Sequence, residues 1–142
     1  MGLILALVLV PSVADAQIMV RVFGSVSFPD VDPDLRPQLG PESILIWVRV
    51  MGSWGSPWVL TLTADSDLLS GPDVIPASSI SWTAMPSPPF RGGVLSTTMP
   101  VVVASGVSPM SRIARFSFYL QNSWSYNVGN YSGTATYTLS SP

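Results

Sequence analysis

The chain has 142 residues, of which 47% are hydrophobic and 10% are charged, and it contains neither Cys nor His. This length accommodates one domain, and the two missing residue types exclude a thiolate or imidazole zinc site, a Cys nucleophile and a His-based catalytic triad. Six Arg, no Lys and eight acidic residues give a formal net charge of -2, without the basic patch that nucleic-acid binding requires. We therefore predict a protein that is not an enzyme and that does not bind nucleic acid.

The first sixteen residues have the features of an export signal. Residues 3–10 form an unbroken apolar run, and the tripeptide Ala-Asp-Ala at 14–16 matches the small-x-small pattern that signal peptidase recognises. The run is far shorter than the ~20 residues that a membrane-spanning helix needs, which disfavours an N-terminal anchor, and no later run is long enough. We predict a signal peptide over residues 1–16 and an exported domain over residues 17–142, in the periplasm, on the cell surface or outside the cell.

Alternation of apolar and polar residues with period two is the strongest regular pattern of the mature chain, and no helical periodicity competes with it. β-branched and aromatic residues are frequent in these segments, and Gly, Pro, Asn, Asp and Ser separate them. About seven strands predict an all-β fold, a single antiparallel immunoglobulin-like β-sandwich, with a small β-barrel as the alternative. The predicted strands lie at residues 20–28, 44–50, 58–64, 80–82, 101–104, 116–120 and 134–139.

The residues between these strands predict how the chain turns. Gly24 interrupts the first predicted strand and is expected to mark a β-bulge. The Gly- and Pro-rich turn at 51–57 is expected to join the second and third strands in a hairpin. Residues 85–93 form a predicted loop, and residues 122–132 form the predicted turn before the last strand.

The closing part of the sequence carries a resemblance to known proteins. Residues 116–120 are followed by Trp124, by the motif Gly129-Asn-Tyr131, and by alternating Thr and apolar residues at 134–139. This arrangement resembles the last hairpin of secreted bacterial surface and pilin-type β-sandwiches, in particular spore coat protein U-like domains, in which a Gly-x-Tyr loop opens the final strand. The resemblance implies an exported β-sandwich with a structural role, although this chain lacks the Cys residues that these families commonly carry.

A run of alternate carboxylates follows the first predicted strand. Asp30, Asp32 and Asp34 are spaced as in loops that gather oxygen ligands for calcium, and calcium is the only cofactor that the sequence indicates. The alternative is a polar, Pro-interrupted surface loop. A second acidic pair, Asp65 and Asp67, follows a strand and is expected to form Asx-type turn bonds.

Aromatic residues are numerous for a weakly charged chain. Outward or loop positions are predicted for four of them, which form a candidate ligand or partner surface: Trp47, Trp54, Trp124 and Tyr126. Core positions are predicted for Trp58 and Trp82. Grouping of the first set on one open face would favour glycan or partner binding, whereas scattering beneath loops would favour a purely structural role.

These observations predict a non-enzymatic exported structural or surface-assembly protein. It is expected to pair with copies of itself or with other surface proteins by strand addition, through the segment at 17–28, which is apolar on one face and carries few charges. The alternative is a carbohydrate-binding module that recognises polysaccharide through exposed Trp and Tyr residues.

Overall fold

The computed structural model describes residues 3–13 and 18–141, and within 3–13 it describes one side chain, that of Leu7. These residues form an all-β sandwich in which one turn of 3-10 helix, Ala77–Ser79, precedes β8. The described strands are β1 (Leu3–Val13), β2 (Ile18–Phe23), β3 (Val26–Phe28), β4 (Gln38–Val50), β5 (Pro57–Ala64), β6 (Leu68–Ser70), β7 (Asp73–Ile75), β8 (Ile80–Met85), β9 (Gly93–Val94), β10 (Val101–Val107), β11 (Met110–Gln121) and β12 (Gly129–Ser140).

The strands form two sheets. Sheet A has the order β10-β5-β12-β1-β3, and the short hairpin β6-β7 attaches to β12. Sheet B has the order β2-β4-β11-β8-β9. Among the described pairs, β1 with β12 is parallel and every other pair is antiparallel. The all-β sandwich predicted from the alternation is therefore confirmed.

The core lies between the two sheets, because alternate residues of the long strands point inward and are buried. The ring of Phe116 is edge-on to Phe90 and to Tyr137, with ring centroids 6.1 and 5.5 Å apart. Such edge-to-face pairs stabilise a core beyond the burial of their area. Trp58 and Trp82 are buried, as predicted.

The first predicted strand is two strands that belong to different sheets. The chain leaves sheet B at the end of β2 and enters sheet A at β3, and Gly24 lies between them with a φ of +108°. A residue with a side chain rarely adopts this backbone conformation. The expected bulge at Gly24 is therefore wrong, because the glycine allows the chain to cross between the sheets.

The predicted hairpins are also corrected. β4 pairs with β2 and β11 in sheet B, whereas β5 pairs with β10 and β12 in sheet A. The closing segments β11 and β12 likewise lie in different sheets. Alternation identifies which face of a strand is buried, but it does not identify the neighbouring strand, and the connection at 51–56 crosses between the layers.

The number of strands exceeds the prediction for three reasons. Three strands have only two or three residues, too few to show a period: β6, β7 and β9. The short strand β3 is additional because the first predicted strand is divided at Gly24. The other additional strand, β1, lies within the predicted signal peptide, and the last strand begins at Gly129, inside the predicted turn. The proposed cleavage sequence at 14–16 lies outside the described residues, so the signal peptide stays a prediction.

Candidate partner surfaces

The predicted calcium ligands lie in the loop between β3 and β4. The Asp32 carboxylate accepts a hydrogen bond from the backbone N–H of Asp34 at 2.8 Å, an Asx-type turn. The Asp34 carboxylate accepts one from the indole Nε1 of Trp124 at 3.1 Å. In the described part of the chain, Asp30, Asp32 and Asp34 do not form a group able to hold a metal ion, and neither do any other three acidic side chains. Calcium is therefore not part of the function proposed below.

The second acidic pair bonds across the fold instead of within its own turn. The Asp65 carboxylate accepts a hydrogen bond from the Thr136 hydroxyl at 3.0 Å, on the neighbouring strand β12. The Asp67 carboxylate accepts one from the backbone N–H of Ala77 at 2.8 Å, at the start of the 3-10 turn. Both carboxylates therefore fix connections between elements, which a single sequence segment does not reveal.

Four of the six described aspartates lie at one end of the sandwich, which we call the acidic end: Asp30, Asp32 and Asp34 in the β3–β4 loop, and Asp73 at the start of β7. Asp65 and Asp67 lie beside the middle of β12. The β11–β12 loop connects the two parts of the acidic end. The Asn122 amide donates to the carbonyl oxygen of Val31 at 2.8 Å, and the Asn127 amide donates to the Asp73 carboxylate at 2.7 Å. The Tyr131 hydroxyl donates to the Asn127 carbonyl at 2.8 Å. Burial raises the pKa of Tyr131, and the nearby Asp73 carboxylate raises it further.

The four predicted surface aromatics lie in three separate places. Trp54 is 88% exposed in the β4–β5 connection, and Trp124 is 56% exposed in the β11–β12 loop. Tyr126 lies in the same loop as Trp124, but its hydroxyl donates to the carbonyl oxygen of Gln121 at 2.7 Å, and the residue packs against the core.

These positions do not form one platform. β11 pairs antiparallel with β4, so Trp54, which follows Val50, lies at the end of β11 that is opposite to Trp124. At about 3.3 Å per residue, the length of β11 separates the two indoles by on the order of 35 Å. Trp47 lies between these ends on the outer face of sheet B, half-buried, and its Nε1 donates to the Ser111 hydroxyl at 3.0 Å.

The outer face of sheet B carries a surface that the sequence patterns did not predict. Arg21, Arg49 and Arg115 occupy outward positions on β2, β4 and β11, and within the described chain their guanidinium groups form no hydrogen bond or ion pair. Apolar side chains, all exposed except the half-buried Trp47, lie in the same and adjacent rows of the sheet. We call this surface the arginine face; its other members are Phe23, Leu45, Trp47, Met85 and Ile113.

The cross-strand register makes the arginine face continuous. Leu45 pairs with Phe23 on one side and with Arg115 on the other, and Arg115 pairs in turn with Met85. No aspartate lies on these strands, and their one acidic residue, Glu42, pairs with Phe118 outside these rows. The sequence does place Arg and large apolar residues at the outward positions of these strands. It does not show that they form one surface, because that requires four distant segments to lie side by side.

The edges of the sheets differ in how well they are covered. β2 is hydrogen-bonded to β4 and lies at the edge of sheet B. The opposite edge, β9, has two residues, and the edge strand β3 of sheet A has three. The remaining edge, β10, is crossed by the preceding loop, because Phe90 bridges to Ala104 and the Arg91 N–H donates to the Val103 carbonyl at 2.8 Å. Of the four strands at the ends of the two sheet orders, β2 is thus the longest that no loop crosses.

Strand β1 lies inside sheet A. It pairs with β12 along its full length of 11 residues and with β3 over the segment from Leu5 to Leu7. The Leu7 side chain is buried in the core. The segment that the sequence predicts to be an export signal therefore fills a strand position between β12 and β3.

The two described grooves on the surface are shallow and contain few ionisable side chains. One, of about 410 Å³, is lined by the prolines of the β8–β9 connection and has Arg91 as its one charged residue. The other, of about 390 Å³, lies beside the 3-10 turn and has Asp67 as its one charged residue. Neither brings together two ionisable side chains.

Comparison with known proteins gives no family for this chain. No family model matches the sequence, and no curated protein matches it significantly. Within the described residues, no helix has the length and apolar character needed to cross a membrane. A functional proposal therefore depends on the geometry of the edges and faces.

Proposed function

We propose that the protein is a non-enzymatic, exported structural subunit that associates with copies of itself or with other surface proteins by β-strand addition. The observation that carries this proposal is the position of β2 at an uncovered edge of sheet B, where β4 is its only described partner. The N–H and C=O groups that face away from β4 form the template that strand addition uses. Its six residues suit a partner strand of ordinary length.

The chemistry of β2 supports an edge that accepts a strand. Ile18 and Val20 are buried, so the strand is fixed to the core and its outer backbone is presented in one position. Natural edges that avoid pairing carry Lys, Pro or inward-pointing charges. β2 has none of these, and its one charged residue, Arg21, points outward.

Export would create a second position for strand addition. The predicted signal peptide contains the whole of β1, so its removal would leave β12 without its parallel neighbour and would leave the core position of Leu7 empty. The gap that β1 leaves between β12 and β3, which we call the slot, would then be one strand wide. An extended apolar segment of another chain has the shape and the chemistry to fill it.

The proposal is tested by the solution mass of the exported chain, measured by size-exclusion chromatography with light scattering over a concentration series. Val22 on β2 and Val101 on the covered edge β10 are both partly buried valines that pack against the core, so Lys at either position perturbs the fold to a similar extent. An inward-pointing Lys on an edge strand opposes addition of a further strand. We expect Val22→Lys to shift association to about tenfold higher concentration, equivalent to about 1.4 kcal/mol, and Val101→Lys to leave it unchanged.

Two results would contradict the proposal. A wild-type chain that stays monomeric at every concentration would refute self-association and would make a screen against glycans and surface proteins the next experiment. Equal association of both Lys variants would exclude β2 as the pairing edge. Polysaccharide binding stays the alternative prediction, although the separation of Trp54 from Trp124 gives it no common binding face.

A further inference from the structure

The charges of this chain are segregated in space. Three of its six Arg residues lie on the arginine face without a partner in the described chain, whereas four of the six described Asp residues lie at the acidic end. The acidic end contains one Arg, Arg36, whose guanidinium donates to the carbonyl oxygen of Gly40. The two surfaces therefore carry opposite charge, although the formal charge of the whole chain is only -2.

The two surfaces also share an apolar character. On the arginine face, Met85 is 65% exposed and Ile113 is 60% exposed. At the acidic end, Leu35 is 78% exposed between Asp34 and Arg36, and Val128 is 67% exposed in the β11–β12 loop. Docking the two surfaces would bury apolar area on both sides and would place unpaired guanidinium groups against carboxylates.

We propose that the arginine face of one copy docks on the acidic end of a second copy. The inference rests on the proposed function in one respect, namely that copies of this chain associate. The partner is a second copy because the same chain supplies both halves of a contact that is complementary in charge and in exposed apolar groups. Arg side chains form bidentate bonds to carboxylates and suit this role better than Lys, which the chain lacks.

The geometry of this contact gives an open assembly. The arginine face lies on the side of the sandwich, and the acidic end lies at the ends of the strands, so one copy uses both surfaces at once with two different neighbours. A contact between different surfaces is heterologous, and it continues into a chain unless its rotation closes a ring. Strand addition at β2 uses the adjacent edge of the same sheet, so both contacts can operate in one assembly.

A charge-swap experiment tests the inference with the full exported chain. The first variant, Arg21→Asp/Arg115→Asp, makes the face acidic. The second variant, Asp32→Arg/Asp34→Arg, makes the end basic. It removes the side-chain bonds of Asp32 and Asp34 but keeps the backbone bonds of the turn, in which the N–H groups of Leu35 and Arg36 donate to the carbonyl of residue 32. We expect each variant alone to associate at about tenfold higher concentration than the wild type, and we expect an equimolar mixture to recover wild-type association.

A matched control separates this contact from a general effect of net charge. Arg91→Asp/Arg112→Asp makes the same change in charge. Arg91 lies in the β8–β9 connection, and Arg112 lies three residues from Arg115 on β11, so its side chain starts from the opposite face of the sheet. Neither residue therefore occupies an outward position of the arginine face. We expect the control to associate as the wild type does. Association should also weaken as the salt concentration rises from 0.1 to 0.5 M, because the electrostatic screening length is about 10 Å at 0.1 M and becomes shorter at higher concentrations.

Several results would overturn the inference. If wild type associates and the charge-swap variants associate equally well, the contact is wrong while strand addition stands. If the control weakens association as much as the face variant does, the effect is one of net charge. If the wild type stays monomeric but binds vesicles of phosphatidylglycerol and phosphatidylcholine in a way that Arg21→Asp/Arg115→Asp abolishes, the face binds an anionic membrane instead. A wild type that is monomeric and binds nothing refutes both proposals.

Discussion

At the scale of single residues, Tyr137 and Trp58 each bury a side-chain polar atom that has no hydrogen-bond partner in the described chain. For Tyr137 this atom is the hydroxyl oxygen, and the ring is perpendicular to that of Phe116. Tyr137→Phe keeps the ring contact and removes a buried hydroxyl that gives up its hydrogen bonds to water on folding and gains none in return. We expect the free energy of unfolding in urea to rise by about 1 kcal/mol at pH 7. A fall of similar size would mean that the hydroxyl has a partner.

Tyr137 also makes the unfolding free energy fall at alkaline pH. Burial raises the pKa of Tyr137 well above its ordinary value of 10.0, so above this pH the unfolded chain releases a proton that the folded chain retains. The unfolding free energy therefore does not depend on the titration of this group below pH 10, and it falls as the pH rises from 10 towards the raised pKa of the folded chain. Tyr137→Phe should reduce the fall in unfolding free energy between pH 9 and pH 11, with a remaining slope from Tyr131, whose pKa is also raised. Equal slopes for both proteins would contradict this assignment.

At the position of Gly40, two features exclude any side chain. Its φ is +109°, and an added Cβ would lie 2.5 Å from the carbonyl oxygen of Phe118, on the paired strand. Gly55 has a φ of +80° but no atom within 4 Å of the same position, so it isolates the backbone cost. We expect Gly40→Ala to lower the unfolding free energy by about 3 kcal/mol and Gly55→Ala by about 1 kcal/mol. Equal losses in thermal or urea unfolding would show that the contact with Phe118 relaxes.

At the scale of elements, the sequence predicts the buried faces of the strands well and their neighbours poorly. The alternation from Ile44 to Val50 identifies the inward residues, because burial follows the same period of two. It does not show that this strand lies between β2 and β11, since pairing depends on connections that cross between the layers. The chain crossing at Gly24 was similarly hidden, because a glycine within an alternating segment is compatible with a bulge as well as with a change of sheet.

The loops at the acidic end depend on one buried amide. Asn122 is 7% exposed, and its amide donates to the carbonyl oxygens of Val31 and Arg36 at 2.8 and 3.1 Å, which ties the β3–β4 loop to the end of β11. Asn122→Ala leaves these carbonyls without their donor, so we expect a loss of about 2 kcal/mol in urea unfolding. Asn130→Ala, at an exposed position of β12, should change stability by less than about 0.5 kcal/mol. Equal effects would show that water replaces the Asn122 amide.

At the scale of the whole molecule, the candidate surfaces were the least predictable part. Single aromatic residues were recognised as exposed, and Trp54 and Trp124 are exposed, but their positions at opposite ends emerge only from the antiparallel pairing of β4 and β11. The arginine face depends equally on register, because Arg21 and Arg115 lie in segments that are far apart in sequence. Residue type thus indicates exposure, whereas a shared surface requires the topology.

The role of β1 can be decided by supplying it separately. A chain that starts at residue 17 lacks the neighbour of β12 and the buried Leu7, so we expect its thermal unfolding midpoint to fall by on the order of 10 °C relative to the full chain. A peptide of residues 3–13 that binds the empty slot should raise this midpoint with increasing concentration, because a ligand that binds only the folded state stabilises it. The same peptide with Leu7→Asp should fail, since it would bury an unpaired carboxylate. If the shortened chain is as stable as the full chain and ignores both peptides, the sandwich is complete without β1, and strand addition is confined to the edge at β2.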